Sequence, residues 1–124
     1  MTRLPASFLN RPIAHRGFHN LEAGIPENSV AAFEAAIEAG YGIELDVRRA
    51  LDDAAMVFHD YDLDRLTGET GPIAQRTAEA LGMIPLIGGH GTIPTLAQVL
   101  SLVAGRVPLL IEIKDQDGGL GPNI

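Results

Sequence analysis

Apolar residues recur along this chain with two periods that alternate. Ile13 and Ala14, after Pro12, make a short apolar entry that stops at His15-Arg16-Gly17, which predicts a first strand running into a loop. Val30, Phe33, Ala36 and Ile37 fall at helical spacing, with Asn28 or Ser29 available as N-cap and Gly40 as the stop, so a helix is predicted. Gly42 to Arg48 then changes to period two, with Ile43, Leu45 and Val47 on one face and Glu44, Asp46 and Arg48 on the other. Ala55 to His59 reads Ala-Met-Val-Phe-His, the nearly continuous apolar run of a strand buried on both sides. Thr77 to Leu81 predicts a short helix, and the run through Gly88, Gly89 and Gly91 predicts a flexible linking loop. Thr95 caps a second clear helix whose buried stripe is Leu96, Val99, Leu100 and Val103, ended by Gly105. Val107 to Lys114 is the last strand, with Leu109, Ile111 and Ile113 facing one way and Leu110, Glu112 and Lys114 the other. The tail, Asp115 to Ile124, carries three glycines and a proline and predicts little order.

Strands that alternate with helices define an α/β chain with a parallel sheet, and parallel strands need cover on both faces. In a closed barrel the helices cover the outside. Ile43, Leu45, Val47, Ile111 and Ile113 are then expected to face outward, and Glu44, Asp46, Glu112 and Lys114 to converge within. Charges so placed normally lie at the carboxyl ends of the strands, where barrel active sites are built. One connection departs from the pattern. Only Val47 to Phe58 separates Asp46 from His59, which barely allows a crossover helix, so an extended return with a turn at Asp52-Asp53 is predicted. A complete barrel takes about 250 residues. The 124 residues here have room for roughly the first half, read as one partial domain over 1–124.

Composition narrows the function classes. With 46% hydrophobic and 20% charged residues the chain is ordinary globular material. A net charge of −7, with nine Lys and Arg, provides no basic stripe and argues against DNA or RNA as a partner. The absence of Cys removes disulfides, thiolate metal sites and cysteine nucleophiles together. Met1 to Pro12 has Arg3 and Arg11 but no apolar core of signal-peptide length, and no later run reaches membrane-spanning length, so a cytoplasmic location is expected.

Set side by side, the strand ends read His15-Arg16-Gly17, Glu44-x-Asp46, His59-Asp60 and Glu112-x-Lys114. Three carboxylates on neighbouring strands repel one another unless a positive charge sits among them, and hard oxygen ligands suit calcium or magnesium. Two His at other strand ends offer a base and an acid near neutral pH. Arg16 and Lys114 add fixed positive charge, and Arg grips phosphate through two parallel hydrogen bonds. Cation, guanidinium and paired imidazoles together suit phosphodiester cleavage.

At these residues the chain resembles the glycerophosphodiester phosphodiesterase family. The segments Ala-His-Arg-Gly, Pro-Glu-Asn-Ser with Ala-Phe after it, Gly-x-Glu-Leu-Asp-Val, Val-Phe-His-Asp with Leu-Asp-Arg-Leu-Thr, Ile-Pro-Thr-Leu and Ile-Glu-Ile-Lys follow the family's order from about Ile13 to Lys114. Six such motifs in register are specific where any one would be weak. The resemblance implies the first half of a TIM-barrel phosphodiesterase domain. It implies Glu44, Asp46 and Glu112 as ligands of one divalent cation, His15 and His59 as the acid-base pair, and Arg16 with Lys114 as holders of the phosphate. The implied substrate is a small glycerophosphodiester, cleaved through attack by its own 2-hydroxyl to yield glycerol 3-phosphate and an alcohol. Two departures stand out: Ala50 and Asp53-Ala54 where the family often has Thr and Asp-Gly, and Arg65-Leu66-Thr67 in place of Arg-Thr-Thr. Half a barrel leaves sheet edges open, so a non-catalytic module that needs a second half, or self-association, is the competing reading. A phosphatidylinositol-type phospholipase C, also a barrel with paired His, is a third.

Blander readings compete for single residues. Glu44 and Asp46 would suit the solvated face of an edge strand, and Glu112 a surface pair with Lys114 or Arg106. His19 and His90 read as surface residues, Asn28 and Ser29 as helix caps, and Asp60, Asp62 and Asp64 as local turn chemistry.

Overall fold

The structure is a computed structural model that describes residues 11–114, so expectations for the 115–124 tail lie outside the described residues. Four strands form one sheet: β1 (Ile13–His15), β2 (Gly42–Arg49), β3 (Ala55–Val57) and β4 (Leu109–Ile113). Strand β2 is its spine. β1 and β4 run parallel to β2, with His15 opposite Glu44 and Asp46 opposite Glu112. β3 runs antiparallel, with Val47 opposite Val57. β4 overlaps the pairing of both β1 and β3, so those two share the other edge of β2, one near its start and one near its end.

The reversal of β3 is the extended return that the short connection demanded. Asp53, at φ +66, turns the chain, with its N–H donating to the Ala50 carbonyl at 3.0 Å and Ala50 N–H to the Ala54 carbonyl at 2.9 Å. The same hairpin sends Phe58 N–H to the Asp46 carbonyl at 2.9 Å, which sets His59 beside the carboxyl end of β2.

Helix α1 (Val30–Ala39) starts where Ser29 Oγ accepts from Ala32 N–H and stops at Gly40 in the left-handed region. Helix α2 (Ala78–Leu81) is capped by Thr77, and α3 (Leu96–Val103) by a Thr95–Gln98 capping box. Ile43, Leu45 and Val47 meet Phe33 and Ala36 of α1 and Val99 and Val103 of α3 in one buried cluster, so these three β2 side chains do face the helices. Replacing fully buried Phe33 by Ala is expected to cost about 3–5 kcal/mol, read as a lower denaturant midpoint at unchanged m-value.

Periodicity placed some side chains too deep. Val30 and Leu100 are exposed, because each lies at the edge of its stripe; Ala32, Phe33, Ala36, Val99 and Val103 are buried in the core, and half-buried Ile37 and Leu96 pack against it. On β4, Ile111 and Ile113 are exposed as well: β2 covers one edge of β4, and no described element packs on the outer face of its second half. A second core was legible only where the buried run of Ala55 to His59 announced Met56 and Phe58. Met56, Phe58, Leu63, Ile73, Leu81, Ile84, Leu86 and Ile93 pack together inside the long excursion between β3 and α3. The glycine run is an ordered part of that excursion. Leu86 N–H donates to the Gly91 carbonyl at 2.9 Å, and a side chain on Gly89 would sit 2.7 Å from Pro26, so this loop closes onto the segment before α1. No helix among the described residues is long and apolar enough to cross a membrane.

Candidate active site

The first loop of the site is shaped by two residues in the left-handed region, Arg16 at φ +59 and Gly17 at φ +80. Gly17 lies against α1 so closely that a Cβ there would be 2.7 Å from the Ala32 Cβ, which is why the loop needs glycine. Asn28, at φ +53, donates its backbone N–H to the Arg16 carbonyl at 2.8 Å and ties the two segments together. Ser29 does the capping, which leaves the Asn28 side chain for another task. Its Nδ2 donates to Asp46 Oδ2 at 3.1 Å, and its Oδ1 accepts from Asp46 N–H at 3.4 Å.

Parallel pairing and strand register then gather the carboxylates. One oxygen each from Glu44, Asp46 and Glu112 lie within 4.8 Å of one another. Glu44 and Asp46 are buried, and Glu112 sits on the exposed rim. Lys114 Nζ donates to Glu112 Oε1 at 2.8 Å and stands 3.7 Å from Asp46 Oδ1. Arg16 N–H donates to Glu44 Oε1 at 3.2 Å, and Arg16 Nε stands 3.7 Å from Asp46 Oδ2. The exposed His15 ring brings Nε2 to 3.8 Å from Glu44 Oε1. Six of the seven site residues read from the sequence therefore share one locus: His15, Arg16, Glu44, Asp46, Glu112 and Lys114.

The cations present do not balance the acids. Burial and then the Asp46 charge push the Glu44 carboxyl up to about 7, whereas the Lys114 hydrogen bond holds Glu112 below the usual range. Asp46 Oδ1 is fully buried and accepts no hydrogen bond. Buried acceptors are nearly always satisfied. An orphaned carboxylate oxygen between two further carboxylates is what a hard divalent cation fits.

The seventh residue, His59, joins a separate group at the end of β3. His59 Nδ1 is 2.7 Å from Asp60 Oδ1, and Arg65 grips Asp60 through both Nε (2.8 Å) and Nη2 (2.9 Å). Arg65 Nη2 also donates to Glu27 Oε1 at 2.7 Å, and Arg16 Nη1 donates to Glu27 Oε2 at 3.2 Å. Arg48 Nε donates to the His59 carbonyl at 2.8 Å, with its guanidinium carbon 5.9 Å from the Tyr61 ring centre. Sequence reasoning gave Asn28 and Asp60 only capping and turn roles and weighed neither Glu27 nor Arg65, although each stands inside a quoted motif. Motif membership was the available signal. Capping and turn propensities, which explain Asn and Asp before a helix or in a loop equally well, outweighed it.

Arg65, followed by the His59 contact, holds the Asp60 carboxyl down at about 2 against burial, which opposes the shift. A carboxyl lowered on folding stabilises fully above its unfolded value of 3.8, and that contribution is lost as pH falls from there through about 2. The urea midpoint is therefore expected to fall across this window, and to fall less steeply in Arg65→Ala.

Three parallel strands with covering helices and acidic side chains gathered at their carboxyl ends place the chain among α/β barrels of the TIM type, of which it spans about the first half. It belongs to the glycerophosphoryl diester phosphodiesterase family, whose pattern matches residues 15–119. A glycerophosphodiester phosphodiesterase of Bacillus altitudinis is 37% identical over 113 residues, which cover 86% of this chain and 45% of the relative. One from Caldanaerobacter subterraneus is 38% identical over 82% of this chain and 44% of the relative. Among solved structures, the Agrobacterium tumefaciens enzyme superposes with a TM-score of 0.76 at 32% identity, over 86% of this chain and 48% of that one. An Oleispira antarctica phosphodiesterase, solved with its product sn-glycerol-3-phosphate, gives 0.76 at 30% identity over 88% of this chain and 46% of that one. The chain spans a little under half the length of these relatives.

Proposed function

We propose that this chain carries the metal-binding and acid-base residues of a glycerophosphodiester hydrolase. The observation that carries the reading is the orphaned Asp46 Oδ1 within the Glu44, Asp46 and Glu112 cluster, on a fold shared with phosphodiesterases. These three side chains would hold one calcium or magnesium ion, which when bound supplies Lewis-acid charge to the phosphoryl oxygens.

The chain's own residues do the rest. Arg16 and Lys114, at the rim of the cluster, bring fixed positive charge to the phosphate, each exchanging part of its carboxylate contact for it. His15 takes the proton from the glycerol 2-hydroxyl, whose oxygen forms the new bond to phosphorus as the bond to the alcohol breaks. His59 gives a proton to the departing alcohol. Water then opens the cyclic phosphate, with the roles of the two imidazoles reversed, and glycerol 3-phosphate leaves. Glycerophosphocholine incubated with the chain and magnesium or calcium is expected to release glycerol 3-phosphate. Turnover that stays at background with both cations, and is unchanged in Glu44→Ala, would overturn the reading. A cyclic phosphate that persisted as end product would favour the phospholipase C type.

The exposure of Leu110, Ile111 and Ile113 on β4 supports a second reading, a half-barrel that acts only once another half, or a second copy, covers this edge. Sedimentation separates the two. A stable monomer that turns over substrate contradicts the second.

A further inference from the structure

We propose that Arg65 is a positioning residue that, through Asp60, holds the neutral His59 ring in the tautomer protonated at Nδ1, so that Nε2 is the nitrogen that takes up and gives the catalytic proton, and locks that imidazole to the loop carrying Glu27. The inference rests on the reading that His59 moves protons, and it adds what sets the ring.

The tautomer of a histidine is set by the hydrogen bond that its other nitrogen makes. Here Nδ1 is 2.7 Å from Asp60 Oδ1, and an ionised carboxylate can only accept, so Nδ1 carries the hydrogen. Asp60 is itself fixed. The planar fork of Arg65 bonds both of its oxygens, at 2.8 and 2.9 Å, a grip that a lysine cannot reproduce. The same guanidinium reaches across 38 residues of sequence to Glu27 at 2.7 Å. Glu27 continues to Arg16 at 3.2 Å, and Arg16 to Asp46 at 3.7 Å. An unbroken line of charged contacts thus runs from His59 to the carboxylate cluster, and Arg65 links the loop of His59 and Asp60 to the loop of Glu27. Glu27, His59 and Asp60 also bring ligand-type atoms within 4.8 Å of one another, as a cation site would. Arg65 already bonds both carboxylates of that group, so its positive charge meets the need that a second ion would otherwise fill.

The test reads the ring directly, without substrate or cation. Long-range proton–nitrogen NMR of the full chain distinguishes a protonated from an unprotonated ring nitrogen. The parent chain at a pH where His59 is neutral is expected to show Nδ1 protonated and Nε2 bare. Arg65→Ala and Asp60→Ala are each expected to lose that single state for a mixture of both tautomers, with kcat lowered roughly 10²-fold and KM changed far less. Arg65→Lys keeps one charge-assisted bond and restores part of the tautomer bias. It also serves should Arg65→Ala fail to fold. A parent chain with Nε2 protonated, or an Arg65→Ala or Arg65→Lys spectrum identical to the parent, overturns the proposal. If the NMR result holds while no variant, nor the parent, hydrolyses substrate, it is the hydrolase reading that fails and not the positioning.

Discussion

Magnesium or calcium at a hundred times its Kd is expected to stabilise the parent chain by about 2.7 kcal/mol, a rise in Tm of about 10 °C for a chain of this size, and Asp46→Asn is expected to lose nearly all of that rise. The reason lies in how Asp46 is held. Asn28 satisfies one of its oxygens, and the other has no hydrogen bond, so the carboxylate is preorganised to offer one lone oxygen beside Glu44 and Glu112. The Asp46→Asn change retains an acceptor for Asn28 Nδ2 and relieves the repulsion that pushes Glu44 up. It forfeits two contacts of 3.7 Å, to Arg16 and Lys114. Without cation these changes offset one another, so the variant and the parent are expected to melt close together. With cation they separate. Thermal melts with and without the ion read both comparisons, and a rise that survived intact in Asp46→Asn would place the ion elsewhere.

The second large effect concerns the imidazoles. His59→Ala and His15→Ala are each expected to lower kcat by roughly 10²–10⁴-fold, the range a positioned acid or base contributes. The two losses differ in kind. If His59 protonates the departing alcohol, a leaving group that needs no proton, such as nitrophenolate, restores much of the rate in His59→Ala and little in His15→Ala. Rates with alkyl and nitrophenyl esters of glycerol phosphate check this, and the opposite pattern of recovery would exchange the two roles. The geometry supports unequal settings: His15 is an exposed ring 3.8 Å from Glu44, whereas His59 is half-buried and anchored by Asp60.

How much of this was legible in the residues follows from the range of the forces involved. Strand and helix placement came through because Ile43, Leu45 and Val47 alternate, and because Ser29, Gly40 and Thr95 carry their capping chemistry within a few residues. The carboxylate cluster came through for a related reason. Strand ends in a parallel sheet are neighbours by construction, so Glu44, Asp46 and Glu112 meet once the register is right. Contacts across loops did not come through. Nothing local links Arg65 to Glu27, or tells Asn28 from an ordinary cap, since each pairing is decided by where distant segments come to rest. The rest of the second core is hidden for the same cause, because Leu63, Ile73, Leu81 and Ile93 follow no single period. Exposure on β4 was missed because the pattern of alternation reports which side chains share a face, not whether anything covers it.

The most direct measurement is anomalous diffraction from crystals grown with manganese, a hard divalent ion visible at its absorption edge. A single strong peak bonded to Glu44, Asp46 and Glu112 is the expected result. A peak instead among Glu27, His59 and Asp60, or ordered carboxylates with no peak at saturating manganese, would contradict it.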